Sequence, residues 1–308
     1  MLYEEYCKKW LQLKKGKIAD STWSSYADLC ERVILPTFGQ MHLEEITSLD
    51  VELFLGWLLA SGRASGTVKR VYSVFRSSLS KAVKLGLLRA NPAGSDFIDP
   101  LPRRKPETAF FSAAEVQRIL IGLEEEPLQW RAYGRLALDS GARRGEILGL
   151  QWQDLDGCIC HIRRAGYQLS GAAPATKVPK SGQTRIVRLT EETRNILLDL
   201  RRLQKRECLR SGSGWRNSHF VFGASRMLHP STPTHWWIRF RKRMQLPPLP
   251  LHALRHTSAT LLLSNGVDLK TVSCRLGHSS IEVTDLYLHL VDDADRHAAE
   301  VMERILTF

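Results

Sequence analysis

Apolar residues recur every three to four positions through most of this chain, and glycine, proline and capping hydroxyls cut the runs into separate predicted helices. Tyr3 to Lys15 is the first. Ser21 stands where it would cap a second that reaches about Ile34 and is ended by Pro36. Thr47 or Ser48 would cap a third, with Val51, Leu53, Phe54, Trp57 and Leu58 as its apolar positions and Gly62 beyond its end. A fourth runs from Ser65 to Leu85 with Val68, Val71, Val74 and Phe75 on one side.

The period fades after Asn91-Pro92, and the stretch through Pro102, Arg103, Arg104, Lys105 and Pro106 reads as a linker. It returns at Ser112, whose Glu115 three residues on completes a capping-box signature. A helix is predicted within FSAAEVQRILIGLEEE (111–126), others follow at about 127–139 and 143–150, and then the pattern changes. CICHIRRA (158–165) and TRIVRL (184–189) alternate as strands, and LSGAAPATKVPKSGQ (169–183) between them is loop-like. Helices resume at 191–208, 232–244, 251–264, 268–275, 280–288 and 293–306. The pattern therefore predicts a mainly α protein with a small antiparallel β-sheet: a helical unit over residues 1–92, a linker over 93–109 and a mixed α/β unit over 110–308.

Composition narrows the partner. A chain of 308 residues, 43% of them hydrophobic, can bury a sizeable core, and a formal charge of +12 favours a polyanion. Basic candidates for phosphate contact are Lys69 and Arg70, the linker cations, Lys205, Arg206 and Arg210, and Arg239, Arg241, Lys242 and Arg243. The six cysteines are scattered and read as reduced thiols; Cys158 and Cys160 alternate within a strand, which argues against a metal pair. The charged N-terminus and the absence of a membrane-length apolar run point to a soluble, cytoplasmic protein.

The chemistry is concentrated near the C-terminus, where HALRH (252–256) is followed by LGHSSIEVTDLY (276–287). An arginine fork suits a phosphate oxygen, an imidazole can move a proton and a phenol can attack phosphorus, so the set reads as metal-free phosphoryl transfer. His252 and His256 at i, i+4 resemble a metal pair, but Ala253 stands where a zincin would need glutamate. Together, H-x-L-R-H, L-G-H-S-S and a tyrosine nine residues after that histidine resemble the C-terminal signature of the tyrosine recombinase, or phage integrase, family. SGARRGEILGL upstream is similar to the family's first arginine box, with Arg143 in the active-site position and Glu146 three residues later.

The resemblance implies an N-terminal core-binding domain, a catalytic domain of the DNA breaking-rejoining type, and a lysine in a turn of the small sheet. Lys180, nine residues before Leu189, fits that lysine; Lys177 is the alternative, with a longer turn. The implied site is Arg143, Lys180, His252, Arg255, His278 and Tyr287. A phenol of pKa about 10 is ionised to only about one part in a thousand at pH 7, roughly 4 kcal/mol away, so Tyr287 needs a base, for which His252 is the candidate. Arg143 and Arg255 would clamp the non-bridging oxygens, Lys180 would protonate the leaving 5′-hydroxyl, His278 would donate to a phosphate oxygen, and Glu146 would orient a basic neighbour.

No phosphate-loop motif is present, and neither ATP nor a divalent metal is expected. The implied partners are double-stranded DNA with specific core sites and a homotetramer on two such sites, with accessory DNA-bending or directionality proteins. The apolar stripe Ala294, Ala298, Val301, Met302, Ile305 would link protomers. Because the chain begins almost directly with the core-binding unit, arm-site binding is not expected. A type IB topoisomerase and an inactive DNA-binding accessory protein are the competing functions.

Overall fold

The computed structural model describes residues 1–100, 109–169, 172–178 and 184–277. The chain divides into two compact units, and each has its own core.

The first unit is helical: α1 (Tyr3–Lys14), α2 (Asp20–Leu29), α3 (Leu35–Phe38), α4 (Ser48–Ala60) and α5 (Ser65–Lys84). Two expectations are corrected here. The second helix has Ala19, not Ser21, at its N-cap, and it does not end before Pro36. It continues through a π-turn at Cys30–Ile34 into α3, where Pro36 occupies the first turn. Proline removes the donor that the Arg32 carbonyl would use in an α-helix, and a locally widened turn accommodates that loss.

Thr47 caps α4, in a reciprocal box with Asp50. The core takes Val51, Phe54, Leu55 and Leu58 from this helix but leaves Leu53 63% and Trp57 58% exposed, so two positions expected on the apolar face lie outside it. α5 buries the whole stripe Val68, Val71, Val74, Phe75, Leu79 and Ala82. Hydroxyls join α1 to α5: Tyr3 Oη lies 2.8 Å from Ser78 Oγ, and Tyr6 donates to the Ser78 carbonyl at 2.7 Å. Ala93 and Ile98 also lie in this core, and Tyr72 donates to the Ala93 carbonyl.

The second unit comprises α6 (Ala113–Glu124), α7 (Leu128–Ser140), α8 (Arg144–Gly149), β1 (Leu155–Asp156), β2 (Ile159–Ile162), β3 (Ala165–Tyr167), β4 (Ala175–Lys177), β5 (Arg185–Arg188), α9 (Glu191–Arg210), α10 (Thr232–Arg243), α11 (Ala253–Ser264) and α12 (Leu269–Leu276). Helix α7 is its hub, with α6, α8, α9 and α11 packed against it. The two strands foreseen at 158–165 and 184–189 pair antiparallel as β2 and β5, with Cys160 opposite Val187, in a sheet ordered β1-β2-β5. Cys160 is buried there, and burial pushes its thiol up to about 12, as suits a core side chain.

The stretch read as loop contains a strand, β4, which pairs with β3, just before that stretch, as a second, two-stranded sheet. Its alternation is too short to register as a period, and two glycines a helical turn apart make room for it. A Cβ on Gly145 would lie 2.8 Å from the Gly166 carbonyl oxygen, and one on Gly149 would lie 2.9 Å from that of Arg164. Helix α8 thus packs its bare face directly on β3. Among the described residues no helix is long and apolar enough to cross a membrane. The predicted helices at 280–288 and 293–306 lie outside the described residues.

Gly145→Ala tests this packing. Helix propensity alone favours alanine by about 0.5–1 kcal/mol, whereas forcing a methyl against backbone costs about 1–3 kcal/mol. Urea denaturation should show net destabilisation; an unchanged or raised midpoint would mean that β3 yields freely.

Candidate active site

Helix α7 ends at Gly141, in the left-handed conformation at φ +59°, and two residues later Arg143 caps α8. That short elbow aims the Arg143 guanidinium back across the end of α12. Three arginines from three elements converge there. Arg255, on the first turn of α11 and only 3% exposed, donates from Nη1 to the carbonyls of Gly141 (2.8 Å) and Leu276 (2.9 Å). Arg143 reaches the Gly277 carbonyl with both Nη atoms at 3.3 Å. Arg185, on β5, donates from Nε to the Arg275 carbonyl at 2.9 Å. The last carbonyls of a helix have no partner within it and carry the negative end of its dipole. Here three successive ones are met by guanidinium groups.

One carboxylate ties two of these arginines together. Glu146, 2% exposed, accepts from the Arg143 backbone N–H at 2.8 Å and from Arg143 Nη1 at 3.0 Å. Arg185 grips the same carboxylate bidentately, at 3.1 and 2.7 Å. Burial alone would raise the Glu146 pKa; hydrogen bonding and charge from Arg185, then the Arg143 N–H and charge, outweigh it and hold the group below its ordinary value. Three guanidiniums against one carboxylate leave two positive charges in the cluster.

A cavity of about 760 Å³ opens beside it, bounded by Arg143, Arg144, Tyr167, Lys177, Thr234 and His252 among others. His252 caps α11 with its outer side exposed to this cavity, and its ring meets His256 edge to face at 4.8 Å between centroids. Burial of the inner side, then the charges of His256, Arg255 and Arg143, lower its pKa to about 4. The imidazole is therefore neutral at pH 7 and able to accept a proton. Lys177, at the end of β4, holds its ammonium 4.6 Å from the Tyr167 ring centroid.

Of the residues singled out in the sequence, Arg143 and His252 line one cavity and Arg255 packs beneath it. Lys180, His278 and Tyr287 lie outside the described residues. Arg185 was missed: in the sequence it is one cation in a strand, and only its pairing with β2 brings it under α8. Arg275 was missed likewise; it binds the Asp139 carboxylate at 3.0 Å and the Arg188 carbonyl at 3.0 Å, locking α12 to α7 and β5. Asp139 also accepts from the Thr190 backbone N–H at the cap of α9.

Comparison with known proteins agrees with this geometry. Residues 109–293 match the phage integrase family, and residues 2–57 match the N-terminal SAM-like domain of phage integrases. A tyrosine recombinase XerC-like protein of Caldanaerobacter subterraneus subsp. tengcongensis is 29% identical over 287 residues, 85% of this chain and 72% of its own. The ICEBs1 integrase of Bacillus subtilis is 26% identical over 280 residues, 87% and 74% of the two chains. In fold the chain is similar to the Tn1549 transposon integrase solved with circular intermediate DNA, with a TM-score of 0.77 at 18% identity over 96% of this chain and 98% of that one. It is likewise similar to a lambda integrase dimer on a COC′ core site, with a TM-score of 0.71 at 19% identity over 96% and 97% of the two chains. The chain belongs to the phage integrase family.

The state of His252 is measurable. Its folded pKa lies below the ordinary 6.5, so this group contributes stability above pH 6.5 that is lost as pH falls toward about 4. An NMR titration of the His252 ring should give a midpoint between those values, since its wet outer side screens part of the neighbouring charge. A midpoint at or above 6.5 would remove the neutral-base argument.

Proposed function

We propose that this integrase-family chain is a site-specific DNA recombinase that cleaves and rejoins double-stranded DNA through a 3′-phosphotyrosine at Tyr287. The observation that carries this reading is the convergence of Arg143 and Arg255 beside the neutral imidazole of His252, at the edge of an open cavity. The cluster's net charge of two suits the roughly dianionic phosphorane formed when a phenolate adds to a phosphodiester, and guanidiniums already fixed by protein hydrogen bonds stabilise that charge with little reorganisation.

In the proposed reaction Tyr287 Oη attacks the scissile phosphorus while His252 accepts the phenolic proton. The P–O5′ bond breaks, Lys180 protonates the departing oxygen, and His278 donates to a non-bridging oxygen. The tyrosyl ester replaces one phosphodiester with another, so attack by a second 5′-hydroxyl reverses the step without ATP. Lys177, engaged with Tyr167 at the cavity wall, serves as a fixed charge for the DNA backbone. The helical unit over residues 1–92, joined through 93–109 to the catalytic unit over 110–308, binds the core sites. Four copies act on two sites, in the cytoplasm at the nucleoid, with accessory DNA-bending or directionality proteins.

A nicked suicide duplex built from the junction sequences flanking the gene should trap the wild-type protein covalently, and Tyr287→Phe should bind it without forming the adduct. An adduct with Tyr287→Phe would sink the nucleophile assignment, and relaxation of supercoiled plasmid with no exchange between two labelled sites would favour a topoisomerase. The lysines separate by leaving group. Lys180→Ala should cleave the natural phosphodiester slowly and a 5′-phosphorothiolate, whose leaving thiolate needs no acid, at close to the wild-type rate. Equal loss on both substrates, with rescue instead for Lys177→Ala, would move the acid to β4.

A further inference from the structure

Arg185 stands outside the chemistry just described, yet from β5 it joins the carboxylate of α8 to the end of α12. Its side chain is 9% exposed. All three of its nitrogens are engaged: Nη1 and Nη2 on the two oxygens of Glu146, and Nε on the Arg275 carbonyl. Each Glu146 oxygen is thereby shared, Oε1 between the guanidiniums of Arg185 and Arg143, Oε2 between Arg185 and the Arg143 backbone N–H. The strand carrying Arg185 follows directly on the segment that contains Lys180.

We propose that Arg185 is a positioning residue for strand transfer: it neutralises Glu146, leaving Arg143 its charge for the scissile phosphate, and it fixes the end of α12 from which the chain runs on to His278 and Tyr287. The charge balance carries the argument. A buried carboxylate facing Arg143 alone would pair with it one to one, draw the guanidinium back and cancel most of its field at the phosphate. With Arg185 supplying the bidentate partner, Glu146 orients Arg143 through its backbone N–H and one Nη and leaves the arginine's other donors for an incoming oxyanion. Lysine could not replace it, because a single ammonium cannot span both carboxylate oxygens and the Arg275 carbonyl at once.

This inference rests on the strand-transfer reading, and the test separates the two. On the nicked suicide duplex, Arg185→Met should lower the single-turnover cleavage rate by about 100-fold, the effect expected of displacing a catalytic group by roughly 1 Å, while affinity for the duplex changes little. On a duplex whose scissile phosphate is a neutral methylphosphonate, less arginine charge is needed, so the Arg185→Met and Arg143→Ala defects should shrink together. Equal defects on both duplexes, or no defect, would overturn the proposal. Wild-type protein that cleaves neither duplex would instead sink the parent reading. If Arg185→Met proves unstable, the double variant Glu146→Gln with Arg185→Met removes the carboxylate charge that would draw Arg143 back. It should melt higher and cleave faster than the single variant; a double variant that cleaves as slowly as the single one would also overturn the proposal.

Discussion

The second unit is organised around the C-terminal end of α12, where the carbonyls of Arg275, Leu276 and Gly277 accept from Arg185, Arg255 and Arg143 in turn. A helix end buried without donors would be costly, because each lost hydrogen bond leaves a desolvated carbonyl worth about 1–3 kcal/mol. Guanidiniums solve that problem and create another, since three like charges repel within a small volume. Glu146 relieves the repulsion from below. The arginines are therefore structural and electrostatic at once. They hold α12 against α7, α8 and β5, and the same contacts stack permanent positive charge at the edge of a cavity. Gly277 is what the arrangement demands at its tightest point: its φ of +68° turns the chain away, and a Cβ there would sit 2.8 Å from the Arg185 guanidinium.

How much of this the sequence disclosed depends on the distance over which each feature is determined. Helices with a local cap and a strong period were legible: the Ser112–Glu115 box closes as the spacing implies, Thr47 caps α4, and α5 buries its whole apolar stripe. Features set by tertiary fit were not. The π-turn before Pro36 has no compositional mark, the outward turn of Leu53 and Trp57 depends on which face of α4 meets α5, and β3 and β4 are each three residues long. In the site the pattern was similar. Arg143, His252 and Arg255 were nameable because they sit in recognisable strings. Arg185 and Arg275 were not, because each acts on a partner far away in sequence, and one cation among 44 lysines and arginines gives no local signal.

The same geometry holds Arg143 and Arg255 with unequal strength. The bonds of Arg143 to Gly277 are long, 3.3 Å from each Nη, and end on a neutral carbonyl, whereas a phosphate oxygen carries a full charge and attracts a guanidinium at shorter range and roughly twice the strength. Phosphate would therefore displace a weak contact, and the arginine need move little, since its backbone N–H and remaining Nη bond stay on Glu146. Arg255 differs. It is nearly buried, its Nη1 bonds are short, and its carbonyl partners join the α7–α8 elbow to the end of α12. One arginine is thus held loosely at the cavity and the other firmly beneath it, and the exchangeable contact falls on the carbonyl immediately before His278. An anion in the cavity would therefore exchange the Arg143 contact on Gly277 while the short Arg255 bonds keep the α7–α8 elbow joined to the end of α12, so the charge can be recruited without dismantling the helix end that holds it.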